Sequence, residues 1–138
     1  MAAGTKPITN KEGWWNYALG PGKAIDTNKF FVICANVIGG CMGSYGPSNI
    51  GDNGKPFGTN CPVITINDLV NAQYNLLDVV KINKLFSVIG GSMGGMQVLQ
   101  FVSNFPEKSH TAIPIACTAS HSAQNIALNE LGRQSIMA

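Results

Sequence analysis

Cysteines at metal-ligand spacing are missing: Cys34, Cys41, Cys61 and Cys117 form no C-x-x-C pair. Neither a zinc site nor a disulfide framework is therefore expected, and no metal is assigned. Their places within or beside apolar runs suit small buried hydrophobes in a reducing compartment. Charge is scarce, at 12% charged residues and a formal net charge of +2. The basic residues, from Lys6 to Arg133, are scattered and make no stripe that would follow a phosphate backbone, which argues against a nucleic-acid partner. Long apolar runs are also absent. The longest, Phe30 to Ile38, is interrupted by Asn36 and is too short to cross a bilayer, and Met1 to Asn10 holds no apolar stretch of signal-peptide type. A cytoplasmic protein without a membrane partner is expected. No internal repeat or low-complexity tract is visible.

What remains is globular composition, 45% hydrophobic with 16 glycines in 138 residues, read as one domain or part of one spanning 1–138. Three nearly continuous apolar segments predict strands of a sheet covered on both faces: Phe30 to Ala35, Leu85 to Ile89 and Thr111 to Ala116. Helical spacing lies between and after them. Asn67 or Asp68 is placed to cap a helix ending near Lys81, with Leu69, Val70, Leu76, Leu77 and Val80 roughly on one side. Met96, Leu99 and Val102, with Val98, Phe101 and Phe105, predict a largely buried helix stopped by Pro106. A third helix is expected from about Ser122 to Met137, with Ile126, Ala127 and Leu131 inward and Gly132 as a weak point. Strand and helix alternate as in an α/β fold with a mostly parallel sheet. Gly39 to Asn60, rich in glycine and poor in apolar residues, reads as a long loop, either functional or merely flexible.

The chemistry centres on Gly90-Gly91-Ser92-Met93-Gly94, set between a predicted strand and a predicted helix. The pattern G-x-S-x-G is that of a nucleophile elbow, a strained turn that holds a serine hydroxyl out at the end of a sheet. Small neighbours avoid collision with the backbone there. Ser92 is then the nucleophile, and the backbone N–H of Met93 one donor of an oxyanion hole at the start of a helix. Acyl transfer suits this arrangement. Two other readings stay open: a phosphate-binding turn, which lacks the Lys-Ser/Thr of a P-loop, and a glycine turn chosen for close packing.

A serine of this kind needs a base and an acid, and the chain offers two histidines, His110 and His121. His110 enters the third predicted strand, which in a parallel sheet is the end opposite Ser92. His121 follows that strand at the same end as the elbow. Glu107 and Glu130 are the acidic residues after Ser92, and neither is assigned.

Several stretches together resemble the homoserine O-acetyltransferase family, acyltransferases of the α/β-hydrolase fold. They are G-W-W-N-Y-A-L-G-P-G-K-A-I-D-T (Gly13 to Thr27), the run Phe30 to Ser48, G-K-P-F-G (Gly54 to Gly58), P-V-I-T-I-N-D-L-V-N-A-Q (Pro62 to Gln73), G-G-S-M-G-G-M-Q (Gly90 to Gln97) and His121 to Gln134. The double tryptophan before G-P-G-K-A-I-D-T, combined with G-G-S-M-G-G-M-Q, is far more specific than the elbow alone. The resemblance implies a partial α/β-hydrolase fold matching an internal segment, without the family's N-terminal strands and C-terminal lid and triad region. It carries Ser92 as acyl nucleophile and Met93 as oxyanion donor. No position matches the acid, the base or the second donor, and neither histidine matches the catalytic one. It also implies acetyl-CoA as acyl donor, no permanently bound cofactor, L-homoserine as acceptor and a place in methionine biosynthesis, with association into a homodimer or with a complementary fragment. Cofactor-binding residues are not identified, and little activity is expected of the chain alone. Competing expectations are a non-catalytic remnant or interaction protein, an O-acyltransferase using serine or succinyl-CoA, and an esterase using His121 as base. Trp14 and Trp15 are read as hydrophobic anchors, and Arg133 as a solvent-facing residue or a carboxylate partner.

Overall fold

The computed structural model describes residues 13–40 and 42–138. Cys41, the stretch Met1 to Asn10 and the Trp14 side chain lie outside the described residues. Two compact units appear, one ending at Ile64 and the other beginning at Thr65.

The first unit is built of turns. A 3-10 turn, Trp14–Tyr17, leads into the G-P-G-K-A-I-D-T stretch, which closes on itself through a parallel bridge between Leu19 and Ile25. The Asp26 carboxylate organises that closure by accepting from the N–H of Gly22 at 2.9 Å and of Asn28 at 3.0 Å. These bonds favour the ionised form and hold the Asp26 pKa below the usual carboxylate range. Trp15 is half-buried, as a hydrophobic anchor should be. The glycine-rich segment after Ile38 is a loop, as expected, but an internally bonded one. Gly39 N–H donates to the Tyr45 carbonyl at 2.7 Å, Ile50 bridges Pro56, and the Tyr45 and Phe57 rings meet edge to face at 5.5 Å.

One expected strand is absent. Phe30 to Ala35 belongs to no sheet, and Phe31 and Cys34 are exposed, so Cys34 is not the buried hydrophobe that its apolar neighbours predicted. An apolar run supplies side chains for a covered strand but not the neighbouring backbone that makes a ladder. Among its described residues the first unit holds only the two isolated bridges.

The second unit carries the α/β architecture: α1 (Ile66–Val79), β1 (Leu85–Gly91), α2 (Met93–Asn104), β2 (Ser109–Ile115) and α3 (Ala123–Met137). Helix α1 is capped by Thr65, not by Asn67 or Asp68. Thr65 Oγ1 accepts from the Asp68 N–H, while the Asp68 carboxylate accepts from the Thr65 N–H, a reciprocal capping box. Val70 and Leu77 on α1 pack with Phe101 on α2, ringed by Ile66, Ile82, Leu85, Val88, Val102 and Phe105. Phe105, where α2 ends before Pro106, stacks on Tyr74 of α1 at 4.1 Å.

Strands β1 and β2 are parallel, with Leu85 opposite Ser109 and Gly91 opposite Ile115, and α2 forms the crossover between them. The Ile115 carbonyl accepts from the Ser92 N–H, so alternate residues of β2 from Ser109 to Ile115 turn their backbone groups towards β1. Pro114 therefore faces its missing N–H to the outer edge and removes no bond from the ladder. Helix α3 starts where expected, capped by Ser122, whose hydroxyl accepts from the Asn125 N–H at 3.3 Å, and it runs through Gly132 unbroken. Its inward face is not realised. Ile126 is 57% and Leu131 64% exposed, and no residue of α3 is buried. Its polar residues are spread around the helix, so no single side is committed to a core.

Candidate active site

Ser92 occupies the single residue between the end of β1 and the start of α2. It is exposed, and its backbone stands at φ 55°, ψ −119°. That is a conformation a residue with a side chain adopts only at a cost, held here by the structure on both sides. On one side the Ser92 N–H donates to the Ile115 carbonyl at 2.9 Å, tying the turn to the end of β2. On the other the Ser92 carbonyl accepts from the Met96 N–H at 3.1 Å, the first bond of α2. The Ser92 side chain caps no N–H of the helix. Met93 is the first residue of α2, where the backbone N–H precedes the first intrahelical bond and the helix dipole favours negative charge.

The glycines divide the work differently from the motif's symmetry. A side chain at Gly90 would place its Cβ 2.3 Å from the Gly94 carbonyl oxygen, so the entry to the turn needs glycine. At Gly94 the same atom would meet nothing within 4 Å. The expectation that a side chain on either flank would collide thus holds for Gly90 and fails for Gly94, whose Cβ direction points into open space. The second close approach falls at Gly95, where a Cβ would lie 2.7 Å from both Cβ and Sγ of Cys117. Cys117 is half-buried against the elbow, and Ala116 before it stands at φ 46°, a second strained residue at the same end of the sheet.

Neither histidine joins Ser92. His110 is the second residue of β2, beside Ser109, which pairs with Leu85 at the start of β1, so it sits at the opposite end of the sheet from the elbow. His121 is exposed beside the cap of α3, its Nδ1 3.5 Å from Asn129 Nδ2. Of the unassigned carboxylates, Glu130 is taken up by Gln134 at 2.7 Å and by Arg133, which lower its pKa, Gln134 first. Arg133 therefore has its carboxylate partner one turn away on its own helix.

Sequence reasoning passed over one polar contact next to the elbow. Gln97, one turn into α2, is 7% exposed, and its Oε1 accepts from Gln73 Nε2 of α1 at 2.6 Å. Its own Nε2 reaches the Met93 carbonyl at 3.4 Å. The available signal was a glutamine amid the apolar residues Met96, Val98, Leu99 and Phe101.

A strand, a strained serine turn and a buried helix crossing to a parallel strand make the nucleophile turn of one fold family. A family model described as the alpha/beta hydrolase fold matches residues 4–129, and the chain belongs to that family. Among curated relatives, a homoserine O-acetyltransferase of Pelagibacter ubique is 75% identical over 139 aligned residues that take in all of this chain. The chain spans about 37% of that relative's length, so it corresponds to a segment of it. Among solved structures, an esterase superposes on 93% of this chain with a TM-score of 0.84 at 37% identity, the chain covering 37% of it. The homoserine O-acetyltransferase from Bacillus anthracis superposes on 88% of this chain with a TM-score of 0.81 at 29% identity, 35% of that chain being covered. The resemblance read from the residues is borne out, as is the partial α/β-hydrolase fold.

Proposed function

We propose that this chain is the nucleophile-bearing segment of a homoserine O-acetyltransferase, with Ser92 as the acyl nucleophile and the Met93 N–H as one oxyanion donor. The observation that carries this reading is the Ser92 backbone at φ 55°, ψ −119° between a strand and a helix, with Gly90 packed against Gly94. In the reaction the Ser92 oxygen attacks the thioester carbonyl of acetyl-CoA, the negative charge gathers on the carbonyl oxygen near the Met93 N–H, and the C–S bond breaks to release the CoA thiol. The hydroxyl of L-homoserine then attacks the acetyl-serine, forming O-acetylhomoserine and returning Ser92. Both steps move a proton from a hydroxyl to a general base. Neither His110 nor His121 supplies it in this reading, so the 138-residue chain alone turns over slowly, and full activity requires further segments, supplied in a longer chain or by association. The wider setting proposed is methionine biosynthesis in the cytoplasm; among the described residues no helix is long and apolar enough to cross a membrane.

A second reading, ester hydrolysis, has the likeness to the esterase structure in its favour. Transfer differs from hydrolysis in admitting homoserine while excluding water. The deciding experiment grafts this chain in place of the matching segment of the 75%-identical relative and measures acetyl transfer from acetyl-CoA to homoserine. Transfer that disappears in Ser92→Ala is expected. A graft that hydrolyses acetyl esters and leaves homoserine unmodified would overturn the acetyltransferase reading in favour of the esterase.

A further inference from the structure

Gln97 is the buried polar residue among the described side chains, and it lies in an interface otherwise made of Val70, Leu77, Phe101 and their apolar neighbours. Burying an amide in such a place is unfavourable unless its donors and acceptor are matched, and apolar side chains of similar volume would fill the space without that requirement. Here the matching is directional. The Gln97 oxygen takes the Gln73 amide from α1 at 2.6 Å, and its nitrogen turns back to the Met93 carbonyl at 3.4 Å. The two sequence stretches Pro62 to Gln73 and Gly90 to Gln97 thus meet through their last residues.

Met93 is bracketed by this contact and by two others. The Ser92 N–H is fixed to Ile115 and the Ser92 carbonyl to the Met96 N–H, which hold the residue before Met93. The Gln73–Gln97 pair holds the carbonyl after it and ties the first turn of α2 to α1. An oxyanion donor acts only if its N–H already points to where charge will develop, so small rotations of this turn reduce its effect.

We propose that Gln97, with Gln73, is a positioning residue that fixes the first turn of α2 and so the direction of the Met93 N–H. The catalytic consequence rests on the reading of Ser92 and Met93 given above; the structural part does not. The test compares the full chain with Gln97→Met, Gln73→Met and Gln97→Glu by amide hydrogen exchange and by the rate of Ser92 acylation from p-nitrophenyl acetate. In both methionine variants, exchange at the Ser92 and Met96 amides should rise about tenfold, the size expected for losing one buried hydrogen bond. The Phe105 amide, bonded to the Phe101 carbonyl at 2.8 Å, should not change. Acylation at saturating ester should slow by a similar factor, with the half-saturating concentration unaltered. In Gln97→Glu the introduced carboxyl donates to the Met93 carbonyl only when protonated, so the ratio of variant to parent rate should rise as pH is lowered, which loosened packing alone would not produce. Unchanged exchange at Ser92 and Met96, or exchange at Phe105 rising in step with them, would overturn the proposal. A parent chain that is never acylated at Ser92 would overturn the nucleophile reading, and the exchange data would still decide whether the glutamine pair fixes the turn.

Discussion

Alanine substitutions at Gly90, Gly94 and Gly95 should have three different effects, although the G-x-S-x-G pattern includes only the first two. At Gly90 the new Cβ would meet the Gly94 oxygen at 2.3 Å and the Gly94 carbonyl carbon at 2.4 Å. Both are backbone atoms, so relief requires shifting the start of α2, and the cost belongs at or above the upper end of the range for overpacking, about 3 kcal/mol. At Gly95 the clash is with the Cys117 side chain at 2.7 Å, again with little room to yield. Because the Gly90 oxygen also lies 3.1 Å away, overpacking belongs in the upper part of its range, about 2–3 kcal/mol, and is offset by the roughly 0.5–1 kcal/mol that alanine gains over glycine inside a helix, a net loss of about 1–2.5 kcal/mol. At Gly94 nothing lies within 4 Å, so only the helix gain remains and the chain should be stabilised by about 0.5–1 kcal/mol. Urea unfolding of the three variants and the parent, with equal slopes, reads these differences from the midpoints. Coupling between Gly95→Ala and Cys117→Gly, measured as a double-mutant cycle, should recover about 1 kcal/mol. A Gly94→Ala variant as destabilised as Gly90→Ala, or a neutral Gly95→Ala with Cys117 intact, would show that these close approaches do not govern the turn.

Phe101→Ala removes a ring that is 2% exposed at the junction of α1 and α2 and should cost about 3–5 kcal/mol by the same unfolding assay. Thr65→Ala breaks the cap of α1 and should cost about 1 kcal/mol. Asp68 and Asp26 carry pKa values below the usual carboxylate range, Asp68 through the Thr65 hydroxyl and then the Thr65 N–H, Asp26 through the N–H groups of Gly22 and Asn28. A carboxylate with a lowered folded-state pKa adds stability above its unfolded value that is lost as pH falls through the folded one. The urea midpoint should therefore drop on acidification through and below the ordinary carboxylate range, and less steeply in the double variant Asp26→Asn/Asp68→Asn.

The elements of the second unit were legible because each is short and strongly patterned. The runs around Val88 and Ile113 are continuous and β-branched, and α1 and α2 repeat their apolar residues at helical spacing. What escaped is what depends on a neighbour. Phe30 to Ala35 has the composition of a covered strand, yet pairing is a property of two segments, and no ladder forms on it among the described residues. The apolar Ile126 and Leu131 predict an inward side, but a helix turns a face inward only against a partner, and α3 buries nothing. The cap at Thr65 lies two residues before Asn67, because the capping box makes Asp68 the third residue of the helix and not its cap. At the candidate site, Ser92, Met93 and Gly90 were readable from the motif, since a strained turn imposes small residues locally. Gly95 against Cys117, and Gln97 against Gln73, join residues 22 and 24 positions apart and required the fold.

Whether Ser92 is an acyl nucleophile is decided by intact-protein mass spectrometry after incubation with acetyl-CoA, with Ser92→Ala alongside and thermal unfolding confirming that both are folded. A slowly forming, single acetyl adduct is expected that maps to Ser92, is missing from Ser92→Ala and is unaffected by His121→Ala. A folded chain that takes no acetyl group at Ser92 from acetyl-CoA, or one acetylated equally in Ser92→Ala, would contradict it.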